Sequence, residues 1–148
     1  MSVTRRELFA SIPVVLIPAI LPAGASAAQD NPLPSAMYPF ETLVSRKGST
    51  TEIRNVLKGH LATSEALEVH ETTLAPGSMP HPPHRHVHSE MWLIREGTVE
   101  LTVEGKSTQM GAGSVGFVRS NDEHGIKNVG ASPAVYFVVA IGPGVASA

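Results

Sequence analysis

The chain has 148 residues, a net charge of −2 and no cysteine. That is the size of one ordinary domain, held by its apolar core and not by disulfides. The few charged residues form no basic cluster beyond the leader, which argues against a nucleic-acid surface.

In chain order, residues 1–27 read as a cleavable export signal. Arg5-Arg6 precedes an uncharged apolar run from Ser11 to Leu21, and Ala25-Ser26-Ala27 supplies a small-residue cleavage site. Thr4-Arg5-Arg6-Glu7-Leu8-Phe9 resembles a twin-arginine signal with the order of its apolar pair reversed; a general secretory signal is the alternative. Pro13, Pro18 and Pro22 interrupt the run, and it is shorter than the about 20 apolar residues of a membrane span. No stable span is therefore expected, and the protein is expected to be exported, periplasmic or secreted.

Residues 28–45 carry Pro32, Pro34 and Pro39 among small residues and predict an extended arm. From 46 to 144, Gly, Pro and Asn recur every 8–12 residues or so, the mark of an all-β sandwich or barrel. A short helix at Ile53–Leu57 would be the one exception. Leu67 and Val69 alternate with Glu68 and His70, and Val99, Leu101 and Val103 alternate with Thr98, Glu100, Thr102 and Glu104, as in half-buried strands. Glu104-Gly105-Lys106 reads as a tight hairpin turn, with Glu104 and Lys106 as a solvated pair, and Gly111-Ala112-Gly113 as the next corner. Ala134 to Ile141 is nearly all apolar, which predicts a strand covered on both faces, in a central position or at a dimer contact.

Chemistry concentrates in the histidines. Five of the seven, His81, His84, His86, His88 and His124, fall in two short segments, a pattern that suggests metal binding. In an extended strand, His84 and His86 face one way about 7 Å apart. Glu90 would lie about 13 Å beyond His86 on a straight strand, so the chain must turn at Val87-His88-Ser89 for Glu90 to reach the same ion.

This segment resembles the first motif of the cupin superfamily, His-x-His, three residues, Glu, six residues, Gly, through His84, His86, Glu90 and Gly97. The second cupin motif is matched by Gly113, His124 and Asn128, with Arg119 where proline is usual and Asn121 where glycine is usual. Asn tolerates the left-handed backbone a tight turn needs. Gly77 sits one residue farther from His84 than the usual spacing, implying a longer loop through Pro80-His81-Pro82-Pro83. The resemblance runs from about Leu67 to Ile141 and implies a small single-domain, type-2-like cupin: an all-β jelly-roll barrel, or double-stranded β-helix. It further implies one divalent transition metal, iron, manganese, nickel, copper or zinc, on His84, His86, Glu90 and His124. In octahedral geometry such a set leaves two neighbouring positions for water, substrate or O₂.

Alternation carried on from Glu90 places Trp92 and Ile94 inward, facing Val99, Leu101, Val115 and Phe117, with Trp92 and Phe117 as cavity-lining residues. His81 and His88 are expected in solvated turns, His81 with a secondary role in closing the cavity, and His60 and His70 on the surface. Met79 and Met91 read as filler beside the ligands. The function these readings imply is that of a metal-dependent enzyme acting on a compact, chelating, oxygen-bearing small molecule. Oxidoreductase chemistry with O₂ comes first, isomerase or decarboxylase chemistry behind it. The alternative is a non-catalytic protein that binds or stores a metal or small ligand; a structural zinc site is disfavoured because such sites are closed and cysteine-rich. A homodimer is predicted, with the arm at 29–40 reaching across a partner.

Overall fold

The computed structural model describes residues 31–145. The export signal expected at 1–27 and the start of the arm at 28–30 lie outside the described residues, among which no helix is long and apolar enough to cross a membrane.

Among the described residues, the turns delimit nine strands. A three-residue 3-10 turn, Phe40–Thr42, leads into β1 (Ser45–Lys47), β2 (Thr51–His60) and β3 (Ala66–Leu74). There follow β4 (Ser89–Glu96), β5 (Thr98–Val103), β6 (Lys106–Gly111), β7 (Val115–Val118), β8 (His124–Asn128) and β9 (Ala134–Ile141). They form two antiparallel sheets, one in the order β1-β2-β3-β9-β4-β7 and one in the order β6-β5-β8. Packed face to face, they make the jelly roll that the alternation and spacing predicted.

The core lies between the sheets. Leu74, Trp92, Ile94, Val118, Tyr136 and Val138 come from the larger sheet, and Val99, Leu101, Met110 and Ile126 from the smaller. Each large apolar side chain fully buried there contributes roughly 1.5–3 kcal/mol. Two turns fix how the sheets meet. Glu104 and Gly105 both have positive φ, 47° and 75°, making the two-residue β5–β6 hairpin. Gly97 has φ 79°, and a Cβ there would lie 2.7 Å from Ala134 Cα, so only glycine lets β4 turn into β5 against β9.

Three sequence expectations change. Ile53–Leu57 is not helical but lies within β2, which pairs with β3 along its whole length apart from a bulge between Asn55 and Leu57; cross-strand pairing outweighs a weak local preference. The tail strand is central, between β3 and β4, but its two faces differ: Ala134, Tyr136, Val138 and Ala140 are buried while Val135, Phe137 and Val139 are half-buried. The described part of the arm is largely exposed but is tied to the barrel at two points. Leu33 N donates to His60 O at 2.7 Å, and the Arg54 guanidinium sits 4.7 Å over the Phe40 ring, fastening the arm to its own barrel.

Candidate metal centre

A reciprocal pair of main-chain hydrogen bonds joins the two motif segments. His84 N donates to His124 O and His124 N to His84 O, each at 3.0 Å, an isolated antiparallel bridge between the loop before β4 and the first residue of β8. Asn121, left-handed at φ 66°, donates its N–H to His86 O at 2.8 Å. Exposed Arg85 donates to Glu104 Oε1 at 2.7 Å and to Asn121 O at 2.8 Å. Arg119, in the motif's proline position, pairs with Asp122 at 3.0 Å and remains exposed. Backbone and surface contacts thus hold the loop and leave the imidazoles free to converge inside.

They do converge. Ring centroids are 5.1 Å apart for His84 and His86, 4.8 Å for His84 and His124, and 4.7 Å for His86 and His124. One ring nitrogen of each lies within 4.8 Å of the other two. The chain bends at Val87 and His88 and brings Glu90 back, with Oε1 3.5 Å from His86 Nε2 and Oε2 3.4 Å from His124 Nε2. Carbonyl oxygens only accept, so His86 Nδ1–H donates to His88 O and His124 Nδ1–H to Asp122 O, both at 2.9 Å. Those bonds fix both rings with Nε2 turned toward the cluster, the usual support of a metal-bound imidazole.

The donor set fits a metal ion on its unsatisfied atoms. Among the described residues, four buried side-chain polar atoms lack a hydrogen-bond partner: His84 Nδ1, His86 Nε2, His124 Nε2 and Tyr136 Oη. Each such group costs about 1–3 kcal/mol unless something satisfies it. Three of the four are imidazole nitrogens, of His84, His86 and His124, and the Glu90 carboxylate lies against two of them, those of His86 and His124. Burial alone would raise the Glu90 carboxyl, but the His124 and His86 imidazoles overturn that and hold it at about 2. Burial likewise disfavours the charged His124 ring, yet neighbouring Glu90 and the Asp122 carbonyl raise its pKa on balance. Burial and the surrounding imidazoles lower that of His84. The site therefore holds an ionised carboxylate among rings that compete for one positive charge, which a divalent cation would supply.

Beside the centre lies a cavity of about 200 Å³, lined by Glu90 and His124 together with Trp92, Ile126, Val138 and Tyr136. A wider, shallower groove of about 530 Å³ between residues 60–66 and 142–144 holds none of the four ligand candidates. Trp92 sits as expected, buried against His124 with centroids 5.5 Å apart. Phe117 does not. It is 59% exposed, and the inward residues of β7 are Gly116 and Val118. The alternation is displaced by one residue: Gly116 takes the inward position, where a Cβ would press on the ends of the Leu101 and Met110 side chains, and Val115 and Phe117 face outward.

Three further side chains reach the centre or cavity. His88 is half-buried, not solvated: its ring stacks on His86 at 3.5 Å, and its Nε2 lies 3.3 Å from Glu90 Oε1. His70 lines the cavity beside Glu68 instead of facing solvent, because β3 turns its polar residues inward. Tyr136 lines it too, hidden from sequence reading by a strand too uniformly apolar to show its phase. His81 remains exposed but lines the cavity mouth, edge-on to His84 at 4.3 Å. His60 lines no part of this cavity. Asn128 is fully buried; its amide donates to Leu74 O and Ser132 O and accepts from Gly130 N, tying β8 to the end of β3 and to the loop before β9.

The model of the cupin domain family matches residues 70–140, which contain both motif segments and all four ligand candidates. The chain carries a cupin domain. Over 56 residues this cupin is 36% identical to the L-ectoine synthases of Bordetella parapertussis and Bordetella bronchiseptica, an alignment spanning 37% of the chain and 43% of each enzyme. Among solved structures, the cupin superposes on an RmlC-like cupin from Shewanella frigidimarina with TM-score 0.63 and 19% identity, over 74% of this chain and 94% of that one. A predicted oxalate decarboxylase of Thermotoga maritima gives TM-score 0.59 at 22% identity, over 72% and 99%. At such identities the likeness speaks to the fold.

Proposed function

We propose that this cupin is an exported, metal-dependent enzyme acting on a small molecule that chelates its metal, with O₂-dependent oxidoreductase chemistry as the first candidate. His84, His86, Glu90 and His124 would hold the ion, and the observation that carries this is the cluster of three buried imidazole nitrogens left without partners, two of them beside Glu90. A bound transition metal supplies Lewis acidity and, where redox-active, electron transfer at open coordination positions. The protein's part is to orient the ligand rings through His88 O and Asp122 O, to keep Glu90 ionised, and to offer a confined cavity walled by Trp92, Ile126 and Val138. That cavity favours catalysis over storage, because a storage site needs no enclosed space beside its ion. The L-ectoine synthases matched over 56 residues are enzymes by their name, which supports the same choice.

Elemental analysis of the protein purified from its exported compartment is expected to return one transition metal per chain, and a panel of small diols and dicarboxylates to include one that drives O₂ uptake. Protein without stoichiometric metal after purification and reloading defeats the proposal; metal without turnover on any probe moves the reading to a binding protein.

Pairing with a second copy belongs to the same proposal. On the outer face of β4, β7 and β9, cross-strand rows Phe117–Met91–Val139 and Val115–Leu93–Phe137 carry no charge. Such a face can meet its own copy without like-charge repulsion.

A further inference from the structure

The unsatisfied atoms that suggest a metal leave one over. Tyr136 is 1% exposed, and its hydroxyl has no protein partner. It is not a core phenol stranded by poor packing: it lines the same cavity as Glu90 and His124, and its strand is paired on both sides, unbroken along β3 and with a bulge on β4 between Ile94 and Glu96. On the inner face Tyr136 lies opposite Thr72 and Ile94, two cross-strand rows away from the Glu90–Ala140 row, so its Cα is about 13 Å along the sheet from the ligand end. A molecule seated on the metal and extending along the cavity would pass Trp92 and Val138 before it meets this group.

From that placement we infer that Tyr136 is a ligand-binding residue whose hydroxyl donates to an uncharged acceptor oxygen at the end of the substrate remote from the metal. This rests on the proposed metal site and adds to it the class of molecule: a compact chelator with an apolar body and a neutral distal oxygen. Size follows from the cavity, whose about 200 Å³ equals the liquid volume of roughly seven waters. Neutrality follows from the walls. Ile53, Trp92, Ile126 and Val138 line the passage beside His70 and Thr72, and no lysine or arginine does, so a distal carboxylate would be buried without a permanent counter-charge. A carbonyl or ether oxygen satisfies the phenol without that cost.

The test uses the manganese-loaded full chain and its Tyr136→Phe variant, titrated calorimetrically with two probes that chelate through the same pair of hydroxyls. One is 3,4-dihydroxybenzaldehyde, which carries a distal carbonyl; the other is 4-methylcatechol, which carries a methyl group in its place. The substitution is expected to weaken the aldehyde about tenfold and to leave the methyl compound within about twofold. Equal effects on both probes, or on neither, overturn the inference. Metal content of both proteins is measured alongside: a wild type that takes no manganese sinks the metal site itself, whereas a loaded protein with no selective loss sinks only the role of Tyr136. Thermal unfolding of the metal-free proteins gives a second reading. Removing a buried hydroxyl that no protein group satisfies is expected to leave the midpoint unchanged or higher, and a fall of several degrees would reveal an internal partner and overturn the inference equally.

Discussion

The two faces of the larger sheet invert the usual distribution of polarity. Inward, β3, β4 and β9 present His70, Thr72, Glu90 and Tyr136 to an enclosed cavity. Outward, β4 and β7 leave Met91, Leu93, Val115 and Phe117 exposed. An enclosed polar group is costly unless something binds it, and a clustered apolar face is costly unless something covers it. The inner face is therefore where small ligands belong and the outer face where a protein surface belongs. Stability and function should separate along the same line.

Substitutions on the two faces sharpen that contrast. Trp92→Ala, which empties a buried indole beside His124, should cost about 3–5 kcal/mol in denaturant unfolding. Next comes His86→Ala, expected to weaken metal binding by about a hundredfold or more while the metal-free fold survives; full metal retention would break the assignment of the centre. His88→Ala should retain metal but bind it roughly tenfold more weakly, because in the proposed centre His88 supports Glu90 and stacks on His86 from outside the ligand set. A loss as severe as that of His86→Ala would instead make His88 a ligand. Phe117→Ala should change monomer stability by less than about 0.5 kcal/mol, yet Phe117→Asp should shift the protein toward monomer in sedimentation without altering metal content. A monomeric wild type would leave the outer face without its proposed partner.

The pH dependence of the metal-free protein follows from the centre. Glu90 is depressed below its ordinary 4.5, so its contribution is present above that pH and is lost as pH falls toward about 2. His124 is raised above its ordinary 6.5, so its contribution is full below that value and is lost as pH rises through the folded pKa. Thermal melts in chelator should therefore show this pair's stabilisation greatest between about 4.5 and 6.5. Loading with metal should remove the alkaline loss, since the ion takes the proton's place. Parallel curves with and without metal would contradict that.

The fold and the centre were legible in the sequence for different reasons. Strands came from the regular spacing of turn residues, and His84, His86, Glu90 and His124 from motif spacing that requires the bend at 87–88. What stayed hidden was phase. β7 is only four residues, and its inward positions are Gly116 and Val118, so alternation read from the larger side chains pointed Phe117 the wrong way. On β3, polar Glu68 and His70 read as the solvent side because polarity normally marks it; a ligand cavity reverses that rule. β9 is apolar at nearly every position, so nothing local announced that Tyr136, and not Phe137, faces inward. His88 escaped because adjacency to a turn says nothing about which way its ring folds.

The reciprocal hydrogen bonds between His84 and His124 have a consequence for how such a centre can change. The two chain segments are clasped by their peptides, so the donor side chains are passengers on a frame that does not depend on them. Exchanging an imidazole for a carboxylate would alter the appetite for one ion over another while the spacing of the attachment points stayed put. In this barrel, chemistry can be rewritten one side chain at a time without redrawing the architecture beneath it.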